Sequence, residues 1–251
     1  MTRRVRLVLG VFLLALATAI APAAHASGGG NGDLPTFGPG SRYHPVVEAR
    51  DFSPNVDNPW FPLKPGTVNT YEGTKDNKAA RNVFAVTADT KVIDGVTTRV
   101  IFDQLFLDGV LAERTYDYYA QDDDGNVWYF GEDTVKADDQ GNLTDTSGSF
   151  RAGVDGAQPG VYMQAHPEIG RRFRQEWYKG QAADQFVVVS LSARVTVPYG
   201  MFNHALKTEE TTSLEPGVLD NKYYVRGIGQ VAEVSATGPV EKLLLADVKT
   251  P

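Results

Sequence analysis

Only one kind of reactive side chain is abundant in this sequence: it holds 31 Asp and Glu against 24 Lys and Arg, with four His and no Cys. The absence of thiols excludes disulfides, thiolate nucleophiles, iron–sulfur clusters and Cys-type zinc sites. His44, His166 and His204 show no H-x-x-x-H or H-E-x-x-H spacing, so neither a metal site nor a cofactor is expected. The runs Asp122-Asp123-Asp124-Gly125-Asn126 and Asp138-Asp139-Gln140-Gly141-Asn142 lack the Gly at position six and the Glu at position twelve of an EF-hand. They read as solvated hairpin turns. There is no G-x-S-x-G elbow and no phosphate-binding glycine loop; Gly227-Ile228-Gly229 runs on into a strand, where a dinucleotide motif needs a helix. A Ser-His-Asp triad stays open, because its members converge only in the fold.

Two constellations remain. Arg172, Arg174, Glu176 and Tyr178 share one face of a polar strand, and Asn203, Ala205, Lys207, Glu209 and Thr211 share one face of another. Turned into a barrel, Arg174, Glu176, Lys207 and Glu209 would pair or meet a ligand, and close carboxylates would have their pKa values pushed apart. Turned to water, they would form weak surface pairs. Glu176 and Glu209, with His166 and Tyr178, are therefore the candidate acids and bases of any catalysis. The second constellation is aromatic: Tyr116, Tyr118, Tyr119, Trp128, Tyr129 and Phe130 fall on one expected hairpin. Cross-strand rings stabilise a sheet by ~0.2–1 kcal/mol per pair, and rings with polar tips also line ligand cavities. Tyr116, Tyr118, Trp128, Arg174 and Lys207 are the candidate ligand-binding residues.

Strands must hold these residues. Asp94-Gly95, Asp108-Gly109, Asp124-Gly125-Asn126 and Gln140-Gly141-Asn142 separate β-rich runs, and such turns signal hairpins because Gly and Asn tolerate positive φ. Between Gln185 and Val197, Val187, Val189, Leu191, Ala193, Val195 and Val197 alternate with a mixed face, the pattern of a half-buried strand. Gly148 to Gly160 reads as a loop and Gln164 to Arg172 as the one short helix. The expected fold is all-β: an antiparallel meander of about ten strands forming a closed or half-open barrel, with a two-sheet sandwich as the alternative.

The ends of the chain define its organisation. Three arginines within residues 1–6, an apolar run from Leu7 to Ala21 and Ala24-His25-Ala26 have the order of a secretory signal peptide over residues 1–26. Its removal takes away Arg3, Arg4 and Arg6 with no acid, moving the formal charge from −7 to −10. Residues 27–42 read as a disordered Gly-rich leader. Residues 43–251 form one domain, opened by a Pro-rich extended segment over 43–66 that lies on the body or plugs one end of it. The expected location is secreted and extracellular, or periplasmic where the host has an outer membrane. No stable membrane anchor is expected, since no Cys is available for lipidation and no later apolar run can span a bilayer. Nucleic acid is not an expected partner of so acidic a chain.

Phe61-Pro62-Leu63-Lys64-Pro65-Gly66 followed by Tyr71, the run from Tyr116 to Gly131 (YDYYAQDDDGNVWYFG) and Tyr223-Tyr224 with Gly227-Ile228-Gly229 resemble a group of secreted or lipoprotein-type bacterial proteins. These are loosely grouped with LolA/LolB-like half-barrels that shield lipid chains. The resemblance spans most of residues 55–236 and implies a half-barrel; it assigns no catalytic residue. Three functions follow as expectations. The first is a non-catalytic binding protein holding a lipid or other hydrophobic small molecule in an apolar cavity. The second is a secreted carbohydrate-active lyase or hydrolase, acting on a glycan in a polar cleft. The third, a surface scaffold, has no cavity. Whether the protein is an enzyme, and its oligomeric state, are left open by the sequence.

Overall fold

The computed structural model describes residues 34–138 and 140–251; the signal-peptide reading of residues 1–26 lies outside them. After the two-residue β1 (Phe52–Ser53), a first meander comprises β2 (Val68–Lys75), β3 (Lys78–Ile93), β4 (Val96–Leu107), β5 (Val110–Asp122) and β6 (Val127–Ala137). β7 (Leu143–Asp145), β8 (Phe150–Arg151) and β9 (Gln158–Met163) each pair with β6. β10 (Arg172–Arg174) and β11 (Glu176–Trp177) follow. A second meander then comprises β12 (Asp184–Val197), β13 (Gly200–Thr212), β14 (Leu219–Val225), β15 (Gly229–Thr237) and β16 (Glu241–Lys249).

β16 pairs with β2 and joins the two meanders into one 16-stranded antiparallel sheet. The run 172–177 nearly closes it, because β10 bonds β12 at one edge while β11 bonds β9 at the other. The all-β barrel is thus present, with more strands than the ten expected. No helix among the described residues is long and apolar enough to cross a membrane.

Hairpin chemistry sets the connections. Asp94-Gly95 and Asp108-Gly109 have positive φ at both residues, the tight two-residue turn whose twist matches the flanking strands. Asp76-Asn77 makes the same turn between β2 and β3 without a glycine. The expected helix over Gln164 to Arg172 is absent: most of that stretch is irregular, with a single parallel bridge from Ile169 to Val188. The expected loop from Gly148 to Gly160 contains β8 and the start of β9.

β12 also departs from simple alternation. Register shifts at Ser190 and Ala193 separate Phe186 and Val188, which are buried, from Val197, buried in a different cluster of apolar residues. Each extra residue in a strand turns its side chains to the other face, so Val187 and Val189 do not form the buried face that counting predicts.

The Pro-rich segment stoppers one end of the barrel. Its ring Phe61, 4% exposed, meets Tyr162 at 4.6 Å, Tyr119 at 5.3 Å, Phe84 at 6.1 Å and Tyr224 at 6.5 Å between ring centres. The Asn58 amide donates to the carbonyls of Gly125 and Gln164 at 2.8 and 3.1 Å, tying the stopper to the turns at that end. Outside the barrel, Phe52 packs edge-on against Trp128 and Phe130. The expected leader packs too, from Leu34 onward: Leu34 is buried, and Gly40 lies so close under the Trp177 ring that a Cβ there would overlap it.

Candidate functional site

Strand alternation places a charged lumen above the Phe61 stopper. β5 turns Glu113, Thr115, Asp117 and Tyr119 inward, β4 contributes Asp103 and Leu105, and β14 contributes Lys222. The space divides into a lower cavity of about 250 Å³, floored by Phe61, Phe84, Tyr119 and Tyr162, and an upper one of about 420 Å³ at the rim. Both share Lys75, Glu113, Glu132, Lys222, Glu233 and Glu241. Glu176, Asp184 and Glu210 join the wall toward the rim, with Glu215 and Asp220 beyond them. Eleven carboxylates thus line the two cavities against three lysines, Lys75, Lys136 and Lys222.

Two of those lysines are committed. Lys75 Nζ lies 2.7 Å from Glu241 Oε2, and Lys222 Nζ lies 2.9 Å from Glu210 Oε2 and 3.8 Å from Glu233 Oε1. Burial works against the Lys222 ammonium, yet Glu210 and Glu233 outweigh it and hold its pKa well above the ordinary lysine value. Gln175 and Thr208 also donate to Glu210, so that corner is a satisfied network.

Asp103, Asp117 and Glu132 have no such partner: no ion pair among the described residues includes them. Asp103 accepts from the Asn82 amide. Tyr129 Oη donates to Asp117 Oδ1 at 2.6 Å and lies 3.0 Å from Glu132 Oε2. Burial pushes the Asp117 carboxyl up to about 7, with the Tyr129 hydroxyl opposing. Burial and then the Asp117 charge push Glu132 up to about 8. Burial, then Asp117, raises Asp103 well above the usual carboxylate range. Like charges crowded in a poorly hydrated site retain protons, so Asp117 and Glu132 are partly protonated near neutrality. Among the described residues no three His, Asp or Glu side chains converge to hold a metal ion.

Of the candidate catalytic and ligand-binding residues, Glu176 alone is placed on the lumen, buried and beside Asp184; Tyr119 and Tyr129 of the aromatic hairpin also line it. Glu209 sits on the opposite face of β13 from Glu210, which the lumen takes. Lys207 lies on the outer side over the Tyr223 ring, 5.8 Å from its centre. The physical reason is phase: Leu206, fully buried, anchors the 206-208-210 face inward, and a shift of one residue exchanges the faces. The same slip separates Tyr116 and Tyr118 from Asp117 and Tyr119. Tyr116 is 39% exposed and stacks on Phe102. Tyr118 donates to Asp133 on the outer wall at 2.7 Å. Trp128 donates to Asp122 at 2.8 Å beneath the N-terminal segment. Arg174 is held outside by Trp177 and Phe37 at 4.8 and 4.9 Å and by a bond to the Gly38 carbonyl at 2.6 Å. His166 is exposed in the 164–171 stretch, and Tyr178 is half-buried in a turn closed on Ala182.

Asp103, Asp117, Glu132, Glu210 and Lys222 carry the site's charge, and sequence reasoning passed over them. The signal lay in alternation: Asp117 and Tyr119 share a face, as do Thr208 and Glu210. The β5–β6 bulge beside Gly131 hides it on β6. There Gly131 has a φ of +148°, and a Cβ would strike the Phe150 carbonyl.

No family model matches the chain, and no curated protein matches it. Among solved structures, a candidate exported protein with YmcC-like fold from Bacteroides fragilis NCTC 9343 aligns at a TM-score of 0.44 and 15% identity, covering 76% of this chain and 99% of its own. A candidate lipoprotein from Parabacteroides distasonis ATCC 8503 aligns at 0.42 and 10% identity, covering 76% and 98%.

Proposed function

We propose that the protein is an exported, non-catalytic binding protein that holds a small organic molecule in the barrel lumen, admitted at the rim opposite Phe61. The observation that supports this reading is a lumen closed by aromatic rings at one end and unfilled above them. A hydrophobic portion of the ligand rests on Phe61, Tyr119 and Tyr162. The wall above is polar where an apolar lining was expected. A wholly apolar lipid chain would strip water from carboxylates without replacing their hydrogen bonds, a cost of several kcal/mol per charged group. The ligand is therefore amphiphilic. Export rests on the signal-peptide pattern of residues 1–26.

Native mass spectrometry of protein purified from producing cells tests the reading. An organic mass should accompany the wild type and be lost in Thr115→Trp, which fills the lower cavity. A wild type that retains no organic mass overturns it.

A second reading, a secreted carbohydrate-active lyase or hydrolase, is favoured by one observation: Tyr129 sits between Asp117 and Glu132, acids held near 7 and 8. Carboxyl groups so tuned exchange protons near neutral pH, while burial and then the neighbouring acids hold the Tyr129 hydroxyl well above the ordinary tyrosine value, leaving it the proton donor between them. Incubation with a panel of neutral and acidic polysaccharides should then give turnover by the wild type that falls at least about a hundredfold in Tyr129→Phe. Absence of wild-type turnover removes this reading.

A further inference from the structure

We infer that the lumen's ligand is an organic cation, a protonated amine on an aromatic or aliphatic stem, whose ammonium group is received by Asp103, Asp117 and Glu132. The inference rests on the binding reading above and names the ligand's chemical class. Three independent observations support it.

The first is that the lower cavity is short of donors. Asp103, Asp117 and Glu132 form no ion pair, while Lys75 and Lys222 are already bonded to Glu241 and Glu210. The second is Asn69, which lines the same cavity and is 6% exposed. Its amide nitrogen is turned to Tyr71 Oη, and its Oδ1 has no partner. A buried acceptor without a donor costs about 1–3 kcal/mol, and Asn69 stands among the residues of the same cavity wall as the acids. An ammonium group supplies three donors and one positive charge. A compact divalent ion would need three ligands drawn to one point, which no three acidic side chains among the described residues provide, whereas an ammonium group needs only one or two of these acids within hydrogen-bond distance and the rest as nearby charge.

The third observation is the floor. Phe61, Tyr119 and Tyr162 present rings directly below the acids. Such rings receive an apolar stem and favour a cation at their faces. The lower cavity of about 250 Å³ corresponds to roughly eight water volumes at ~30 Å³ each, enough for a single ring bearing a short amine.

Isothermal titration at pH 7 with three probes on one stem tests this: 2-phenylethylamine, 2-phenylethanol and 3-phenylpropanoate, added to the signal-cleaved chain. The amine should bind at least about tenfold more tightly than the alcohol, and the carboxylate should not bind. Asp117→Asn and Glu132→Gln, each near-isosteric and checked for a folded circular-dichroism spectrum, should each lose most of the amine's advantage over the alcohol. Equal binding of amine and alcohol, or an amine preference that survives in both variants, overturns the inference and leaves the binding reading standing. Failure of all three probes also overturns it, and the native mass measurement then decides the binding reading by itself.

Discussion

The barrel interior has a lower half, the packed aromatic floor, and an upper half, the charged lumen that holds both cavities; the same strands build the two halves, which differ in chemistry. Along β14, inward residues step from Tyr224 to Lys222 and then to Asp220 at the rim. Along β5 they step from Tyr119 to Asp117 to Glu113, and along β13 from Leu206 to Thr208 to Glu210. Two residues of strand, under 7 Å, separate a packed aromatic core from a charged cavity. The difference shows how a barrel can place its hydrophobic stabilisation at one end and still keep a lumen. Fully buried Leu206 and Tyr224, with Phe61 beside Tyr224, fix strand phase below, and that phase delivers the acids above.

If stability is concentrated below, the largest effect belongs to the stopper. Phe61→Ala removes a ring that meets four others and opens a cavity that rigid strands cannot close. Such truncations cost about 3–5 kcal/mol. Urea unfolding should show a loss of that size with an unchanged m-value. A loss below about 1 kcal/mol would mean that the lower half is not the stabilising end and that the contrast between the halves is one of composition alone.

Much of this arrangement was legible in the sequence, and the part that was not has a definite cause. The Asp-Gly turns at 94–95 and 108–109 announced hairpins because backbone sterics leave few residues able to make them. The Pro-rich stretch around Trp60 and Phe61 could not be a helix, and its aromatics had to be buried somewhere. Strand phase was the obstacle. On β13 both faces carry charge, so Glu209 and Glu210 were equivalent by pattern; the fold separates them by burying Leu206, Thr208 and Glu210 while Lys207 and Glu209 stay half-buried. On β5 both faces carry tyrosine, so Tyr118 and Tyr119 could not be ranked. On β12 successive register shifts alter the face within one strand. The aromatic hairpin does border the lumen through Tyr119 and Tyr129, while Tyr116, Tyr118 and Trp128, the rings the pattern singled out, lie on its other side.

The upper half should announce its unpaired acids through the pH dependence of folding, a smaller effect than loss of the stopper. Asp117 and Glu132 are held at about 7 and about 8 in the fold, against roughly 4 for an exposed carboxyl. Between those limits the folded chain keeps protons that the unfolded chain has released, so stability falls as pH rises from about 4 to about 8 and levels off above. Asp133 acts oppositely on the outer wall. Burial disfavours its charge, but bonds from Arg151, Tyr118 and Lys91 prevail and hold it down to about 2. Its stabilisation is present above pH ~4 and lost as pH falls toward 2, so the optimum lies near pH 4–5. Chemical denaturation at pH 5 and pH 8 should differ by about 1–3 kcal/mol in favour of pH 5. Asp117→Asn, which replaces the titrating group with a neutral amide of the same shape, should reduce that difference by raising stability at pH 8 while changing little at pH 5. A wild type that is more stable at pH 8, or an Asp117→Asn variant with an undiminished slope, would show that the acids of the upper half are already charged and compensated, and would erase the distinction between the two halves.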